Sequence, residues 1–332
     1  MLLPIDLNQV NIHTLLLVKE AERRGYHLRT LPSSHPKAPL MLAQKGDRKI
    51  LLSEAVSHLT SHFGYKIAND KIRTYAMLQD NGLPIPKTIV LPRGKELTPE
   101  IVTFLNTHKP IVVKPSNTAH GNGVSIGISD KEDLEKSVNY AICNSKTADI
   151  LLQKQVSGQE YRFLVLGNEV IAVAHRCPPF VKGDGIKTIR ELIEEKNADP
   201  RRSGGHLAAL VKIDLEEVAY FLGRSRLDTI PTLDEKVELL KTSNISRGGE
   251  STDFTDITSG HLKELAVLAA KACFLDFAGV DIMTDSITDG DRSNSVILEV
   301  NASPGIRVHQ CPADGKPRDV AARIFDYVER TL

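Results

Sequence analysis

The sequence predicts an α+β fold, or a mixed α/β one, of about two domains. Three observations carry this. Strand-like and helix-like stretches alternate irregularly, with hairpins between them, rather than in the steady rhythm of a doubly wound sheet. The chain has 332 residues, which corresponds to about two domains and is enough to bury a core. No internal repeat or low-complexity tract interrupts it.

The elements follow in order. NIHTLLLVKEAERRGYHLRTL has a helical pattern that stops at Gly25 and passes into a short strand. PLMLAQKGDRKILLSE reads as two strands about a Lys45–Asp47 turn, with Ser53 capping a following helix. NDKIRTYAMLQDNGLPIPKT is a capped helix that ends at Asn81–Gly82. PIVVKP is a short strand, SNTAHGNG a loop with two glycines, VSIGI a strand, and DKEDLEKSVNYAI a helix capped by Asp130. DILLQKQV is a strand entering a Ser157–Gly158 turn. EYRFLVLGNEVIAVAHR is a hairpin about Gly167–Asn168. GDGIKTIRELIEEKN is a turn and a helix, residues 198–206 a polar loop, and DLEEVAYFLG a helix. EKVELLKTSNISRGGESTDFTD runs from a strand into a glycine-bearing loop. HLKELAVLAAKACF is a long helix. FAGVDIMT and SVILEV are adjacent strands joined by the charged connector DSITDGDRSN. From Arg318 on, the chain reads as an amphipathic helix.

Composition narrows the function. Lys plus Arg and Asp plus Glu each total 42, so no global field recruits nucleic acid or an anionic membrane. The chain has no Trp and 5% aromatic residues, which argues against stacking platforms for single strands. Cys143, Cys177, Cys273 and Cys311 are scattered, with no Cys-x-x-Cys pair. That pattern points to reduced thiols in a cytosolic protein rather than a disulfide framework or a zinc site. Near the N-terminus the longest apolar run, Leu15–Val18, is too short for a signal sequence or a membrane span. The expectation is a soluble cytoplasmic protein without nucleic-acid or membrane partners.

Three stretches could carry chemistry. In ILEVNASPG, Glu299 and Asn301 fall on one side of a strand by its period of two, just before a Pro304–Gly305 turn. Two hard oxygen donors at a strand end suit Mg²⁺; a surface carboxylate followed by ordinary turn chemistry fits the same residues. Asp281 lies in GVDIM, on a strand expected to pair with that of Glu299, and a buried Asp there needs a partner. In VVKPSNTAHGNGVSI, Lys114 ends a strand before a loop with small residues at Ser116, Gly121 and Gly123. Glycines let backbone amides approach a phosphate, and lysine adds charge. A hairpin with an exposed lysine is the alternative, because the pattern is not a nucleotide P-loop. A second such loop carries Ser246, Arg247, Gly248 and Gly249. No Gly-x-Ser-x-Gly elbow signals a hydrolase nucleophile.

Taken as an ordered set, these segments resemble the ATP-grasp superfamily of carboxylate–amine ligases. By pattern they are similar to the ATP-grasp module of cyanophycin synthetase and the C-terminal module of bifunctional glutathione synthetase. EYRFLV, GDGxxTIxELIE, SNISxGG and NASPGxRxH are particular to that subgroup, and the resemblance covers roughly residues 60–332. It implies a small α/β region over 1–66 and an ATP-grasp domain over 67–332. Two α+β subdomains, 67–160 with the phosphate loop and 161–332 with the metal and substrate residues, would grip ATP.

The resemblance also implies roles. Lys71 and Lys114 reach the ATP phosphates, and the loop from Ser116 through Gly121 and Gly123 closes over them. Gln153, Lys154 and the backbone of Val156 meet the adenine edge, and Glu160 holds the ribose. Asp281, Glu299 and Asn301 hold Mg²⁺, two ions by the resemblance, with Mn²⁺ as an alternative. Arg176 and the loop of Asn244, Ser246, Gly248 and Gly249 face an acyl phosphate. Gly305 and Arg307 line a carboxylate pocket, and Lys114, Arg176 and Arg307 are the catalytic set. Gln153 stands where relatives usually carry an acid, and Leu240–Lys241 where they tend to carry an arginine. The implied substrates are a small acid and an amine: γ-glutamylcysteine plus glycine, or an aspartyl carboxylate plus aspartate or arginine. A nucleotide-binding module without turnover and a kinase are the competing readings, and a homodimer is the implied option for assembly.

Overall fold

The computed structural model describes residues 2–32, 35–54, 56–58, 60–118, 121–145, 147–204, 207–240 and 245–331, with only the backbone of Ser246. In chain order the helices are α1 (Ile12–Arg23), α2 (His62–Ala68), α3 (Lys71–Asp80), α4 (Pro99–His108), α5 (Lys131–Asn144), α6 (Ile189–Asn197), α7 (Leu215–Leu222), α8 (Gly260–Ala272), α9 (Arg307–Gln310) and α10 (Val320–Thr331). The strands are β1 (His27–Thr30), β2 (Met41–Lys45), β3 (Arg48–Ser53), β4 (Val56–Ser57), β5 (Thr88–Leu91), β6 (Ile111–Pro115), β7 (Ser125–Ile128), β8 (Ile150–Lys154), β9 (Gln159–Leu166), β10 (Glu169–Cys177), β11 (Phe180–Lys182), β12 (Arg202–Ser203), β13 (Leu210–Val211), β14 (Lys236–Glu238), β15 (Glu250–Asp253), β16 (Phe277–Thr284) and β17 (Ser295–Asn301). Among the described residues no helix is long and apolar enough to cross a membrane.

Two compact units are each assembled from separated stretches. One comprises Met1–Leu59, Ile171–Asp256 and Ser303–Leu332; the other Thr60–Val170 and Ile257–Ala302. In the first, β1 to β4 form an antiparallel meander. Helix α1 packs on α10, and the pairing is pinned by Arg24, which ion-pairs with Glu20, Asp326 and Glu329. Ser53 does not cap a helix as its sequence context suggests. It ends β3 opposite Val56; the helix that follows, α2, belongs to the second unit and is capped by Ser61, which accepts from the Gly64 amide. Elsewhere in the first unit α6 opens with a capping box of Thr188 and Glu191, and packs an apolar face with α7, β11 and β14. Strand β15 pairs with β10 where the sequence suggested only loop. The supposed polar loop 198–206 contains β12, whose Arg202 is buried against Glu250.

The second unit holds an antiparallel sheet in the order β5-β8-β6-β7. Its core is Leu91, Ile101, Leu105, Ile111, Val113, Leu134, Ile150 and Leu152, from the sheet and from α4 and α5. Burying such side chains contributes on the order of 1.5–3 kcal/mol each. Strands β9, β16 and β17 pair antiparallel beside α8, whose buried face is Leu262, Leu265, Ala266, Ala269 and Ala270. Helix α3 starts at Asp70, whose side chain accepts from the Ile72 and Arg73 amides, and stops at Asn81 with Gly82 in the left-handed region.

Candidate functional site

The β9–β16–β17 ladder sets the site in the second unit. Arg162 stands opposite Asp281, and Asp281 opposite Glu299; two positions along, Gly279 pairs with Asn301. By the period of two, Glu160, Arg162, Asp281, Glu299 and Asn301 share one face. Between Asp281 and Ile282 the register shifts, so Leu298 is an extra residue with no partner in the ladder. A bulge of this kind bends a strand and re-aims its neighbours.

Charges alternate across that face. Both Asp281 oxygens are held by Arg162, one through Nη2 at 2.7 Å and the other through Nε. Burial opposes the guanidinium charge, but Asp281, with Glu299 and Glu160, holds the Arg162 pKa above its usual value. Glu299 is more open and lies 3.2 Å from Lys71 Nζ. Asn301 donates through Nδ2 to the Gly279 carbonyl at 3.3 Å, which leaves its amide oxygen turned the other way. Glu299 and Asn301 carry hard oxygen donors on the face of Asp281, whose own carboxylate oxygens are both taken by Arg162. Among the described residues no group of three His, Cys, Asp or Glu side chains is arranged to hold a metal ion.

Helix α3 delivers two side chains to this face. Lys71, its first residue, donates from Nζ to the Thr118 carbonyl at 2.7 Å while facing Glu299. Its backbone amide donates to the Ser116 carbonyl at 2.9 Å. Tyr75, one turn on, donates to the Leu298 carbonyl at 2.7 Å and accepts from Lys114 Nζ at 3.1 Å. Lys114 is 9% exposed and has no carboxylate partner among the described residues. The loop after β6 closes a hairpin to β7. Gly121 and Gly123 both have φ near +75°, and a Cβ on Gly123 would meet Pro115 Cγ at 2.8 Å. Ala119 and His120 lie outside the described residues. The Ser116 amide donates to the Asp149 carbonyl, so it serves the fold rather than an incoming phosphate.

The residues assigned to adenine divide. Gln153 is buried, with Nε2 donating to Thr88 Oγ1 at 2.9 Å, whereas Lys154 is exposed. Strand alternation puts the two side chains on opposite faces. Val156 is half-buried just beyond β8.

The remaining assigned residues lie in the first unit. Arg176 is half-buried on β10, opposite Ser251. Gly248 has φ +90°, and a Cβ there would press on Ile213 Cγ1 at 2.9 Å. Its neighbour Arg247 is committed to Glu217. Asn244, Lys241 and the Ser246 side chain lie outside the described residues, and Leu240 belongs to an apolar core. Arg307 is 8% exposed; its Nη1 donates to the Ala208 carbonyl at 3.3 Å, and its Nε is buried without a partner. Burial pushes its pKa down. Gly305 makes room for the His13 ring, which would lie 2.9 Å from a Cβ at that position. His13 Nδ1 accepts from the Ile306 and Arg307 amides at 3.1 and 3.4 Å. Burial, then the charge of Arg307, lowers the His13 pKa to about 4.

Sequence reasoning missed Arg162, Tyr75 and His13. A basic residue inside the apolar EYRFLV strand was a signal for the first, because burial demands a counter-charge. Spacing was a signal for the second: Tyr75 follows Lys71 by four residues and shares its helix face.

A hairpin with a glycine-rich turn, a helix-start lysine and a carboxylate–amide strand end are the parts of an ATP-grasp fold. The RimK-like ATP-grasp domain profile matches residues 68–180 and 240–328, and the chain belongs to that family. It is 37% identical over 275 residues to cyanophycin synthetase of Synechocystis sp. (strain ATCC 27184 / PCC 6803 / Kazusa), covering 81% of this chain and 31% of that protein. It is 33% identical over 330 residues to the glutathione biosynthesis bifunctional protein GshAB of Clostridium perfringens (strain 13 / Type A), covering 97% of this chain and 41% of that one. The crystal structure of a bifunctional glutathione synthetase from Pasteurella multocida superposes with a TM-score of 0.76 at 27% identity, covering 98% of this chain and 45% of that one. The chain thus spans less than half the length of these relatives. ATP-grasp ligases in general use ATP and Mg²⁺.

Proposed function

We propose that this chain is an ATP-dependent carboxylate–amine ligase that forms an amide or peptide bond through an acyl phosphate. One observation carries the reading: Lys71 touches both the glycine-rich loop, at the Thr118 carbonyl, and the metal strand, at Glu299. That double contact supports a reading in which phosphate and metal functions meet at one helix start. Relatives named cyanophycin synthetase and glutathione biosynthesis bifunctional protein support ligase chemistry.

In the reaction, a substrate carboxylate oxygen attacks the γ-phosphorus of ATP, the bond to the β-phosphate oxygen breaks, and ADP leaves. An amine then attacks the acyl carbon and expels phosphate, and its surplus proton passes to solvent. Lys71 and Lys114 neutralise charge on the transferring phosphoryl oxygens. Glu299 and Asn301, with Asp281 beside them, would hold Mg²⁺, two ions on this reading and exchangeable for Mn²⁺; the metal supplies electrostatic stabilisation when bound. Glu160 is assigned to the ribose and the β8 exit at Val156 to the adenine edge. Arg307, a buried guanidinium without a carboxylate partner among the described residues, is assigned to a carboxylate of the acid. Arg176, Gly248 and Gly249 are assigned to the acyl phosphate.

The substrate class is a small amino acid or short peptide, with γ-glutamylcysteine plus glycine as the first pair to offer and aspartate-terminated peptides as the second. A reducing, ATP-supplied compartment, the cytoplasm, suits both this chemistry and the scattered free thiols.

Hydroxylamine tests the reading. It replaces the amine and traps an acyl phosphate as a hydroxamate, with ADP released alongside. Hydroxamate from at least one acid in a broad panel is the expected result, lost in Lys114→Ala. ATP binding with neither hydroxamate nor ADP from any acid would leave the binding-module reading in its place.

A further inference from the structure

Lys114 poses a problem of placement. An ammonium this deeply buried, with no carboxylate partner among the described residues, is costly unless something orients it and an anion arrives. Among the described residues its hydrogen-bond acceptor is the Tyr75 hydroxyl at 3.1 Å, and Nζ lies 5.6 Å from the centre of the Tyr75 ring. A tyrosine can accept one bond while donating another, and here the donated bond goes to the Leu298 carbonyl at 2.7 Å. Leu298 is the bulged residue of β17 and immediately precedes Glu299. A single hydroxyl therefore links the glycine-loop strand to the bulge that aims Glu299.

We propose that Tyr75 is a positioning residue for phosphate binding: its hydroxyl holds the Lys114 ammonium in place and anchors the bulged carbonyl at Leu298 beside Glu299. The inference rests on the nucleotide-binding reading above. Two consequences distinguish it from a merely structural role. The effect of losing the hydroxyl must depend on phosphate in the ligand, and it must be carried by Lys114.

The experiment measures affinity of the full chain for a non-hydrolysable ATP analogue with Mg²⁺ and, by competition, for adenosine, which lacks phosphate. The proteins are wild type, Tyr75→Phe, Lys114→Ala and the double variant. Tyr75→Phe keeps the ring and its packing, and should weaken the ATP analogue roughly tenfold, the scale of one hydrogen bond to a charged group. Adenosine affinity should stay within about twofold. In the Lys114→Ala background, Tyr75→Phe should add less than about twofold, since interacting residues are not additive. If Tyr75→Phe fails to fold, Tyr75→His fills the slot with a ring whose tip stops short of Lys114, and the same outcomes apply. Unchanged affinity for the ATP analogue, equal losses for both ligands, or full additivity would each overturn the proposal. Failure of the wild type to bind the ATP analogue at all would instead overturn the nucleotide-binding reading and the inference with it.

Discussion

Lys71 Nζ lies 3.2 Å from Glu299 Oε1. The pair joins the start of α3 to the end of β17, and the same ammonium holds the Thr118 carbonyl of the glycine-rich loop. Glu299 is partly open to solvent, so its pairing with Lys71 contributes little to stability. Glu299→Gln keeps the shape and removes the charge. Turnover, read as ADP release, should fall on the order of 10²-fold or more. The melting temperature without ligand should hardly move. Near-normal activity in the variant would remove Glu299 from the metal site.

Arg162 and Asp281 behave differently, because both are buried. Removing Asp281 strands the Arg162 guanidinium, a loss on the order of 3–5 kcal/mol. Asp281→Leu should therefore destabilise strongly in denaturant titrations. The double variant Arg162→Met/Asp281→Leu should recover most of that stability and remain inactive, since it lacks the Asp281 carboxylate. A double variant as unstable as the single one would contradict this account.

How legible this was depended on sequence distance. Asp130 as a helix cap, the capped helix after residue 69 with its Asn81–Gly82 stop, and the β16–β17 pair were all readable, because capping and strand alternation act over a few residues. The Asp281–Glu299 pairing followed from the short connector between their strands. Arg162 and Asp281 are separated by 119 positions and Tyr75 and Leu298 by 223, and nothing local announces such pairs. Ser53 misled because it has the chemistry of a helix cap, yet its position is the end of a meander strand. Helix α4 went unread although Thr98, Pro99 and Glu100 give a full start signal.

His13 gives a pH signature. Its value of about 4 in the folded protein lies below the ordinary 6.5. Between those values the unfolded chain holds the extra proton, so the folded state loses stability as pH falls from 6.5 toward 4. The loss is on the order of 3 kcal/mol when complete. His13→Asn keeps an acceptor near the Nδ1 position without a titrating ring. Comparing denaturant midpoints at pH 7 and pH 5, the wild type should lose more stability than His13→Asn. Parallel behaviour of the two proteins would show that His13 is not held neutral at the Ile306 and Arg307 amides.

Glu160 sits two residues before Arg162 on β9, opposite Met283 of β16. That places it on the face of Asp281 and Glu299 but farther from the β17 end where Glu299 and Asn301 lie. A carboxylate there can accept from ribose hydroxyls without touching the reacting phosphate, which is the role assigned to it. Hydrogen bonds to a charged group are worth about 1.5–3 kcal/mol, or roughly 10- to 150-fold in affinity. Glu160→Ala should weaken a non-hydrolysable ATP analogue by at least the lower figure while leaving the Mg²⁺ dependence of binding unchanged. The wild type should also discriminate against the 2′-deoxy analogue, and the variant should not, because the lost partner is the same in both cases. Equal discrimination by the two proteins would place the ribose elsewhere, and with it the adenine end of the site.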